Sequence, residues 1–306
     1  MDRIECPLCG SGDTKSILSY TADNYSFNLC GSCTGIFADP MKPADKEWYE
    51  RSEWYIFPKE ADKELKWYEK VLLEDHHLYK GKKSLNIGCG RNDFLRRLQD
   101  SGCTVTGLDI NDSIIDFTKN VLGIEDAYSS DVSDFIRDFK GEKFDIIIFF
   151  EVLEHLENPR EFISGLQNIL KEGGYLVFSV PNRVRLASSR DIWDYPPHHL
   201  TRWDVKSINN FLEVNGYFIK QIKTSPINAD NLVKLMKSIF VTESIEETMR
   251  LIDDNKSSNR RATAFAFNTL FKLKMSLYRA AEIIAGCIIK NRGPHIYTIA
   301  GVKKEK

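Results

Sequence analysis

The feature that most constrains the fold of this chain is a regular alternation of apolar strands and helices that begins after Gly81. The segments "KSLNIGCG", "CTVTGLDI", "FDIIIFFE" and "YLVFSVPN" are predicted strands, and helical segments such as "NPREFISGLQNILKEGG" separate them. A further helix, "DVKSINNFLEVNGY", and a further strand, "YFIKQIKT", continue the pattern. Strands that alternate with helices form a parallel sheet covered on both faces. The sequence therefore predicts an α/β fold with a doubly wound, mostly parallel sheet.

Ligands of such sheets bind beyond the carboxyl ends of the strands, and several polar residues of this chain lie there. Gly88 and Gly90 follow the first strand in a turn that lets the backbone approach a ligand. Asp109 ends the second strand, where a carboxylate accepts hydrogen bonds from both hydroxyls of a ribose. Asp131 follows the third strand and suits the exocyclic amine of an adenine. The three features in this order indicate a site for an adenine nucleoside.

Four of the seven cysteines form two C-x-x-C pairs near the N-terminus: Cys6 with Cys9, and Cys30 with Cys33. Two such knuckles complete a tetrahedral sulfur site, which is typical of a structural zinc ion. The residues between the pairs alternate like a short hairpin, as in a zinc ribbon. Four unrelated buried cysteines are the alternative. Because all four predicted ligands are thiolates, we expect this zinc ion to stabilise a lobe and to take no part in catalysis.

The composition along the chain divides it into four predicted regions. Residues 1–40 form the zinc-ribbon lobe, and residues 41–80, rich in Trp and Tyr, form a helical lid or linker. Residues 81–225 together with 295–306 form the α/β domain, and residues 226–294 form a helical insertion. The insertion is expected to pack on the domain or on a second copy, as a homodimer through these C-terminal helices. Attachment to a membrane surface is the alternative.

Charge and hydropathy restrict the partners. The net charge of -2 predicts no attraction to DNA or to an anionic membrane. The N-terminal segment lacks the apolar region of a signal peptide, and no apolar stretch has the length of a membrane span. Cysteines without an export signal favour a reducing compartment. We therefore expect a cytoplasmic protein without DNA or membrane contact.

A buried strand that ends in ionisable residues is the most unusual stretch, "FDIIIFFEVLEHLENP". If a helical turn begins there, Glu151, Glu154 and His155 stand at i, i+3 and i+4 and share one face. A second stretch with matching chemistry is "DYPPHHLTRWD", in which His198 and His199 follow two prolines. The two stretches together predict a catalytic site.

The order of these motifs resembles the class I S-adenosylmethionine-dependent methyltransferases from about residue 84 to residue 302. "LNIGCGRNDFLRRL" is similar to their first motif, "VTGLDI" to their ribose-binding motif and "FDIIIFFEVLEHLENP" to their fourth-strand motif. The cysteine lobe resembles that of bacterial methyltransferases that act on sugars and related metabolites. The resemblance implies a seven-stranded Rossmann-like sheet that binds S-adenosylmethionine. The implied cofactor-binding residues are Asn86, Gly88, Cys89, Gly90, Asp109, Ile110, Asp131, Val132 and Phe150.

Two residues depart from the family pattern. Asn86 stands where the family usually has an acid, and Asn92 replaces the usual third glycine. Asn86 lacks the charge that would pair with the amino group of the cofactor. These departures either weaken cofactor binding or mark a catalytically retired protein.

The E-x-x-E-H motif also resembles a subset of the family, the small-RNA 2′-O-methyltransferases and the ubiquinone-pathway O-methyltransferases. The resemblance implies a divalent metal, Mg²⁺ or Mn²⁺, that holds the acceptor through four ligands: Glu151, Glu154, His155 and His199. Metal-free proton transfer is the alternative, with catalytic residues drawn from His155, His198, His199 and Glu151. A purely structural role of these residues is the third hypothesis.

The predicted function is O-methylation of a sugar or a related small metabolite, with nucleotide-linked and lipid-linked acceptors both open. Carbon or nitrogen methylation and RNA 2′-O-methylation remain alternatives, because the same fold supports each. Two hypotheses come from other classes: a retired enzyme that serves as a scaffold, and a zinc-ribbon module that binds nucleic acid. The second lacks a basic, aromatic-rich patch in the lobe.

Overall fold

The computed structural model describes residues 4–20, 25–43, 64–185, 194–227 and 292–303. Its strands are β1 (Thr14–Tyr20), β2 (Tyr25–Cys30), β3 (Ile36–Asp39), β4 (Lys83–Ile87), β5 (Thr104–Asp109), β6 (Ala127–Ser129), β7 (Phe144–Phe150), β8 (Leu170–Pro181), β9 (Thr201–Arg202), β10 (Tyr217–Thr224) and β11 (His295–Val302). Its helices are α1 (Trp67–Glu74), α2 (His76–Tyr79), α3 (Phe94–Asp100), α4 (Asp112–Asn120), α5 (Val132–Asp138), α6 (Pro159–Ile169) and α7 (Val205–Val214). A 3₁₀ turn spans Leu153–His155. Most of the predicted insertion and part of the predicted lid lie outside the described residues.

The central sheet has seven strands in the order β10-β11-β8-β7-β4-β5-β6. Strands β4 to β8 run parallel to one another, and β11 lies antiparallel between β8 and β10. Strand β7 is buried along most of its length because helices cover both faces of the sheet, as its unbroken apolar run requires. The predicted doubly wound, mostly parallel sheet of seven strands is confirmed.

One predicted helix is too long. The sequence predicted a helix up to Gly174, but α6 ends at Ile169 and strand β8 begins at Leu170. Leu170 already pairs with Phe144 of β7, and the register then shifts before Tyr175. Gly173 takes a left-handed φ of 74° in this irregular stretch, so the two glycines serve a bend inside the strand and not a helix end.

The N-terminal lobe forms a second, antiparallel sheet in the order β1-β2-β3-β9. Pairing of β1 with β2 gives the hairpin predicted between the two cysteine pairs. The fourth strand, β9, comes from much later in the chain, just after His198 and His199. Cys6 and Phe37 of the lobe belong to the same buried apolar cluster as Trp203. The lobe is thus packed into the α/β part, and the predicted bounds at residues 40 and 80 stay predictions.

Parallel strands bring their carboxyl ends to one edge of the sheet. The turn after β4, the end of β5 and the end of β7 therefore meet there. Because β11 runs antiparallel, its first residue, His295, lies at the same edge, opposite Pro181. In the part of the chain that the structure describes, no helix combines the length and apolar character needed to cross a bilayer.

Candidate active site

The turn after β4 is held in a wide, left-handed conformation. Gly88 and Gly90 each have a φ of 65°, which favours glycine. A Cβ atom on Gly88 would lie 2.7 Å from Cγ2 of Val152, so only glycine fits there. Asp109 steadies the turn, since its Oδ2 accepts a hydrogen bond from the N–H of Gly90 at 3.2 Å. The turn leaves room for a ligand above the sheet.

A cavity of about 1110 Å³ extends from this turn along the carboxyl edge of the sheet. It is lined by seven of the residues predicted to bind the cofactor: Gly88, Gly90, Asp109, Ile110, Asp131, Val132 and Phe150. At the other end it is lined by Glu151, His155 and His198. The side chain of Ile110 is 68% exposed beside the cavity, as expected for an apolar wall that a bound base would cover. The cavity is large enough for a nucleoside and an acceptor side by side.

Two of the predicted cofactor-binding residues do not line this cavity. Asn86 and Cys89 are buried, 3% and 4% exposed, beneath the glycine turn. Burial, together with the charge of Asp109, raises the pKa of the Cys89 thiol to about 12, so the thiol stays neutral. A neutral amide at position 86 avoids an unpaired charge in this buried place. Both residues support the turn from below.

The acids predicted to bind the ribose and the adenine already have backbone partners. Asp109 accepts a hydrogen bond from the N–H of Asn111 at 3.0 Å, in addition to the one from Gly90. Burial raises the pKa of Asp109, and its backbone hydrogen bonds oppose this effect. Asp131 begins helix α5, where its carboxylate accepts from the N–H of Ser133 at 2.8 Å. Each acid is thus fixed at the edge of the cavity.

Asn92 does not need the backbone freedom of the glycine that it replaces. Among the described residues other than glycine, only Thr34 and Glu151 have positive φ. The Asn92 side chain accepts a hydrogen bond from the N–H of Phe94 at 3.0 Å and donates to Glu69 at 2.7 Å. Asn92 therefore joins the glycine turn to helix α1. A residue with this structural role is no evidence that the protein has lost catalytic activity.

The backbone conformation and position of Glu151 differ from those predicted. It directly follows β7 with a left-handed φ of 53°, and the 3₁₀ turn begins only at Leu153. The expectation that Glu151, Glu154 and His155 share one helical face is therefore wrong. The strained backbone of Glu151 turns its side chain toward the next strands of the sheet.

Glu151 forms a polar pair with a residue that sequence reasoning missed. It accepts hydrogen bonds from Oγ of Ser179 at 2.7 Å and, through its Oε2, is 3.2 Å from Nδ1 of His295. Burial alone would raise the pKa of Glu151, but the charge of His295 and the bonds from His295 and Ser179 lower it. The ring of Tyr68 packs edge-on against His295 at 5.5 Å. His295 carries no motif, and only its place at the start of an antiparallel strand at this edge could have indicated it.

The two stretches with histidines meet at the far end of the cavity. His155, His198 and His199, which we call the imidazole cluster, each offer a ring nitrogen within 4.8 Å of the others. Their ring centroids are 4.4 to 4.8 Å apart. His198 was not among the predicted metal ligands, whereas the predicted ligands Glu151 and Glu154 lie outside this cluster. The structure thus changes the membership of the predicted site.

Contacts between Nδ1 and an oxygen atom orient two of these rings. Nδ1 of His155 is 2.7 Å from the carbonyl oxygen of His198, and Nδ1 of His199 is 3.5 Å from Oδ1 of Asp194. A carbonyl or carboxylate at Nδ1 fixes the tautomer and leaves Nε2 for a ligand, as in metal-binding histidines. Burial, and then the neighbouring His199 and His198, lower the pKa of His155 well below its usual value. His155 is therefore neutral, and its Nε2 can serve as a metal ligand.

Glu154 is a buried carboxylate beside the imidazole cluster. It is 1% exposed, and neither oxygen has a hydrogen-bond partner among the described residues. Its Oε1 lies 3.9 Å from Nε2 of His155. Burial, and then the charge of Glu151, raise its pKa well above the usual value. A buried carboxyl group without a partner, beside His155, is a candidate further ligand for a divalent cation at the imidazole cluster.

The four N-terminal cysteines come together as predicted. We call Cys6, Cys9, Cys30 and Cys33 the cysteine cluster; their sulfur atoms all lie within 4.8 Å of one another. The sulfurs of Cys6 and Cys33 are 3.7 Å apart, and those of Cys9 and Cys30 are 3.6 Å apart. Four thiolates at about 2.3 Å from a zinc ion would be spaced by about 3.8 Å. The four cysteines are free thiols, and their spacing fits a tetrahedral ion.

Comparisons with known proteins agree with this geometry. Residues 65–222, more than half of the chain, match the methyltransferase domain family. The ubiquinone biosynthesis O-methyltransferase of Shewanella pealeana is 34% identical over 106 residues, 34% of this chain and 45% of that protein. The enzyme of the same name from Coxiella burnetii is 34% identical over 115 residues, 36% of this chain and 48% of that protein. The matches thus span about half the length of these relatives.

A solved structure extends the similarity of the fold. The crystal structure of a SAM-dependent methyltransferase from Archaeoglobus fulgidus matches with a TM-score of 0.50 and 21% identity, over 77% of this chain and 92% of that chain. At this identity the match supports the fold alone. Together with the matched domain and the seven-stranded sheet, it leads to one conclusion. The chain belongs to the methyltransferase domain family and has the class I S-adenosylmethionine-dependent methyltransferase fold.

Proposed function

We propose that this protein transfers the methyl group of S-adenosylmethionine to a hydroxyl group of a small metabolite such as a sugar. The observation that carries the proposal is that one continuous cavity joins the glycine turn and Asp109 to His155 and His198. The relatives that are O-methyltransferases by name favour oxygen over carbon or nitrogen as the methyl acceptor. A catalytically retired scaffold would not need the histidines at the end of the cofactor cavity.

The cofactor end of the cavity would hold the donor molecule. Asp109 would accept hydrogen bonds from the ribose hydroxyls, and Ile110 and Val132 would cover the adenine. Asp131 would accept from the adenine amine. The methyl group would then lie near Phe150 and Glu151, at the end of β7, because these two residues line the cavity between the glycine turn and the histidines. The donor and the acceptor are thereby brought into line.

The acceptor end would hold a divalent metal ion. Its ligands would be the imidazole cluster and Glu154, in place of the set implied by resemblance. Imidazole donors favour Zn²⁺, Fe²⁺ or Mn²⁺ over Mg²⁺, which prefers oxygen. When bound, such an ion acts as a Lewis acid that lowers the pKa of the acceptor hydroxyl.

The protein's own residues would prepare this end for the reaction. Asp194 and the carbonyl of His198 orient the rings of His199 and His155. Glu151, kept ionised by His295 and Ser179 and lining the same cavity, would receive the proton of the hydroxyl. The hydroxyl oxygen then bonds to the methyl carbon as the carbon–sulfur bond breaks, and S-adenosylhomocysteine leaves.

The test is calorimetric titration with S-adenosylhomocysteine, followed by a screen of hydroxyl compounds as methyl acceptors. We expect binding by the wild-type protein, and a loss of roughly tenfold or more in Asp109→Asn, because a neutral amide accepts weaker hydrogen bonds. Asp116→Asn, which changes an exposed acid of α4, is the matched control. Absence of binding by the wild-type protein would overturn the proposal, and RNA binding without it would favour the nucleic-acid module.

The same screen distinguishes metal-assisted methyl transfer from metal-free proton transfer at the acceptor end. Loss of methyl transfer under mild chelation that leaves the zinc at the four cysteines in place, with restoration by added Zn²⁺ or Mn²⁺, supports the metal at the acceptor end. Methyl transfer that persists unchanged after chelation contradicts the metal. In that case the neutral His155 or its neighbour His198 would receive the proton directly.

A further inference from the structure

The segment that carries His198 and His199 is held by the N-terminal lobe. We use the term four-cysteine lobe for strands β1 to β3 and the two cysteine knuckles. The N–H of Leu200 donates to the carbonyl of Glu154 at 2.7 Å, and the carbonyl of Leu200 accepts from the N–H of Ala38 at 2.7 Å. Leu200 thus joins the 3₁₀ turn of the active site directly to strand β3 of the lobe.

The pairing continues beyond Leu200. Thr201 pairs with Phe37, and Arg202 pairs with Ile36, so β9 is the edge strand of the lobe's sheet. The α/β part holds the same segment on its other side, where the carbonyl of Trp203 accepts from the N–H of Arg183 at 2.7 Å. The segment with His198 and His199 therefore lies between the lobe and the α/β part. Its strand β9 pairs with strand β3 of the lobe.

A side-chain path leads from the lobe to the ring of His199. The guanidinium of Arg202 lies over the ring of Phe27 of β2 at 5.7 Å and over the ring of Tyr195 at 5.4 Å. Its Nη2 is 3.6 Å from Oδ2 of Asp194, whose Oδ1 is 3.5 Å from Nδ1 of His199. Asp194 is buried, 4% exposed, and its Oδ2 is also 2.6 Å from Nη2 of Arg185 in the α/β part, so Arg202 and Arg185 together fix its direction.

The cysteine cluster fixes the two strands of the lobe that this path uses. Cys30 is the last residue of β2, and its N–H donates to the carbonyl of Gly35, the residue before β3, at 3.0 Å. Side chains of α7 and of its end also hold the knuckles: Asn210 donates to the carbonyl of Cys33 at 3.2 Å, and Asn215 to that of Leu8 at 3.1 Å. A metal ion at the cysteines would lock the turn from β2 to β3.

We infer that the four-cysteine lobe is a positioning element for the imidazole cluster, acting through β9, Arg202 and Asp194. This inference rests on the proposed function for the importance of the cluster, but its geometry does not depend on it. Loss of the metal at the cysteines would loosen the β2–β3 turn and release β9. His198 and His199 would then lose their fixed orientation, while the glycine turn and Asp109, on the opposite side of the cavity, would keep theirs.

The test uses nuclear magnetic resonance of the histidine side chains, because the chain has only six histidines. Nitrogen-15 correlations of the imidazole rings report the tautomer and the surroundings of each ring. The lobe variant is Cys9→Ser, since Cys9 is the least buried cysteine of the cluster. Its matched control is Cys103→Ser in the α/β domain, where the thiol donates to the carbonyl of Lys82 at 3.3 Å.

We expect Cys9→Ser to lose bound zinc and to shift the resonances of the imidazole cluster. The resonances of His76 and His77 and the affinity for S-adenosylhomocysteine should stay as in the wild type, and Cys103→Ser should change none of these. Unchanged resonances of His155, His198 and His199 in a zinc-depleted Cys9→Ser protein would overturn the inference.

A second variant decides the matter where Cys9→Ser fails to fold. Arg202→Met keeps an apolar stem over Phe27 but removes the contact with Asp194. It should retain zinc and shift the His199 resonances; the same resonances as in the wild type would overturn the inference. A wild-type protein that does not bind S-adenosylhomocysteine would overturn the proposed function, whereas the histidine spectra would still decide this inference.

Discussion

The cysteine cluster and the imidazole cluster are both sets of metal-binding side chains, yet they are built in opposite ways. The four cysteines come from two local motifs in one lobe, and three of them are buried. The three histidines come from segments 43 residues apart, and two of them, His155 and His198, line the end of a cavity. A closed set of four thiolates leaves no position for a substrate, whereas an open set of imidazoles does. The comparison teaches that the first site is suited to stability and the second to chemistry.

The largest expected effect is the loss of stability on removal of metal from the cysteine cluster. Structural zinc contributes roughly 10 kcal/mol or more of binding free energy in small zinc domains. We expect Cys30→Ser to lower the free energy of unfolding by about 3 kcal/mol or more, whereas His198→Ala lowers it by about 1 kcal/mol. Urea denaturation with parallel measurement of zinc release checks this. Equal losses in the two variants would remove the distinction between the sites.

The second expected effect is a loss of catalysis without a loss of cofactor binding. His155→Ala should lower the rate of methyl transfer roughly 10²- to 10⁴-fold, since the ring orients or activates the acceptor. Its affinity for S-adenosylhomocysteine should not change. His77→Ala, an exposed histidine of α2, is the control. A rate for His155→Ala within about twofold of the control would contradict the assignment of this end of the cavity to the acceptor.

The third prediction concerns Glu154, whose carboxylate is buried without a partner. In the metal-free protein, Glu154→Gln should raise the free energy of unfolding by about 1 kcal/mol, because the raised pKa of Glu154 makes its burial at neutral pH costly and glutamine removes that cost. The same change should weaken metal binding by roughly 100-fold, since a charged ligand is lost. Glu125→Gln, at an exposed position, is the control. Stability and metal affinity that change in the same direction would exclude Glu154 as a ligand.

The smallest expected effect is that of Asp194→Asn. An outer carboxylate that orients a metal-binding histidine typically changes metal affinity about 10- to 100-fold. We expect a loss in this range for Zn²⁺ at the imidazole cluster, measured by competition with a chromophoric chelator. The cysteine cluster should keep its zinc. An affinity equal to that of Asp116→Asn would show that Asp194 does not orient His199.

The same comparison explains what the sequence could predict. The sheet follows from local apolar patterns, since β7 and its neighbours are buried on both faces and need no distant information. The cysteine cluster follows from knuckle spacing, because two residues separate the ligands in each pair. The glycine turn follows likewise, since a strand that ends in Gly88 and Gly90 requires left-handed backbone there.

The sequence indicated the three histidines of the imidazole cluster as candidates, but it could not show how they meet or which side chains surround them. Glu151 has a left-handed backbone and contacts Ser179 and His295, and spacing at i and i+4 does not reveal this. His198 and His199 follow a tight turn, where both N–H groups reach the carbonyl of Tyr195, so alternation does not tell which ring points inward. His295 reaches Glu151 only because β11 runs antiparallel. Each of these contacts depends on tertiary structure.

Anomalous diffraction is the most direct test of the central claim that the imidazole cluster is an open metal site beside the cofactor cavity. Crystals grown with S-adenosylhomocysteine and excess Zn²⁺ would be measured at the zinc absorption edge. We predict two anomalous peaks in each chain, one among the four cysteines and one among His155, His198 and His199 with Glu154 as a further ligand. A single peak at the cysteines would contradict the account.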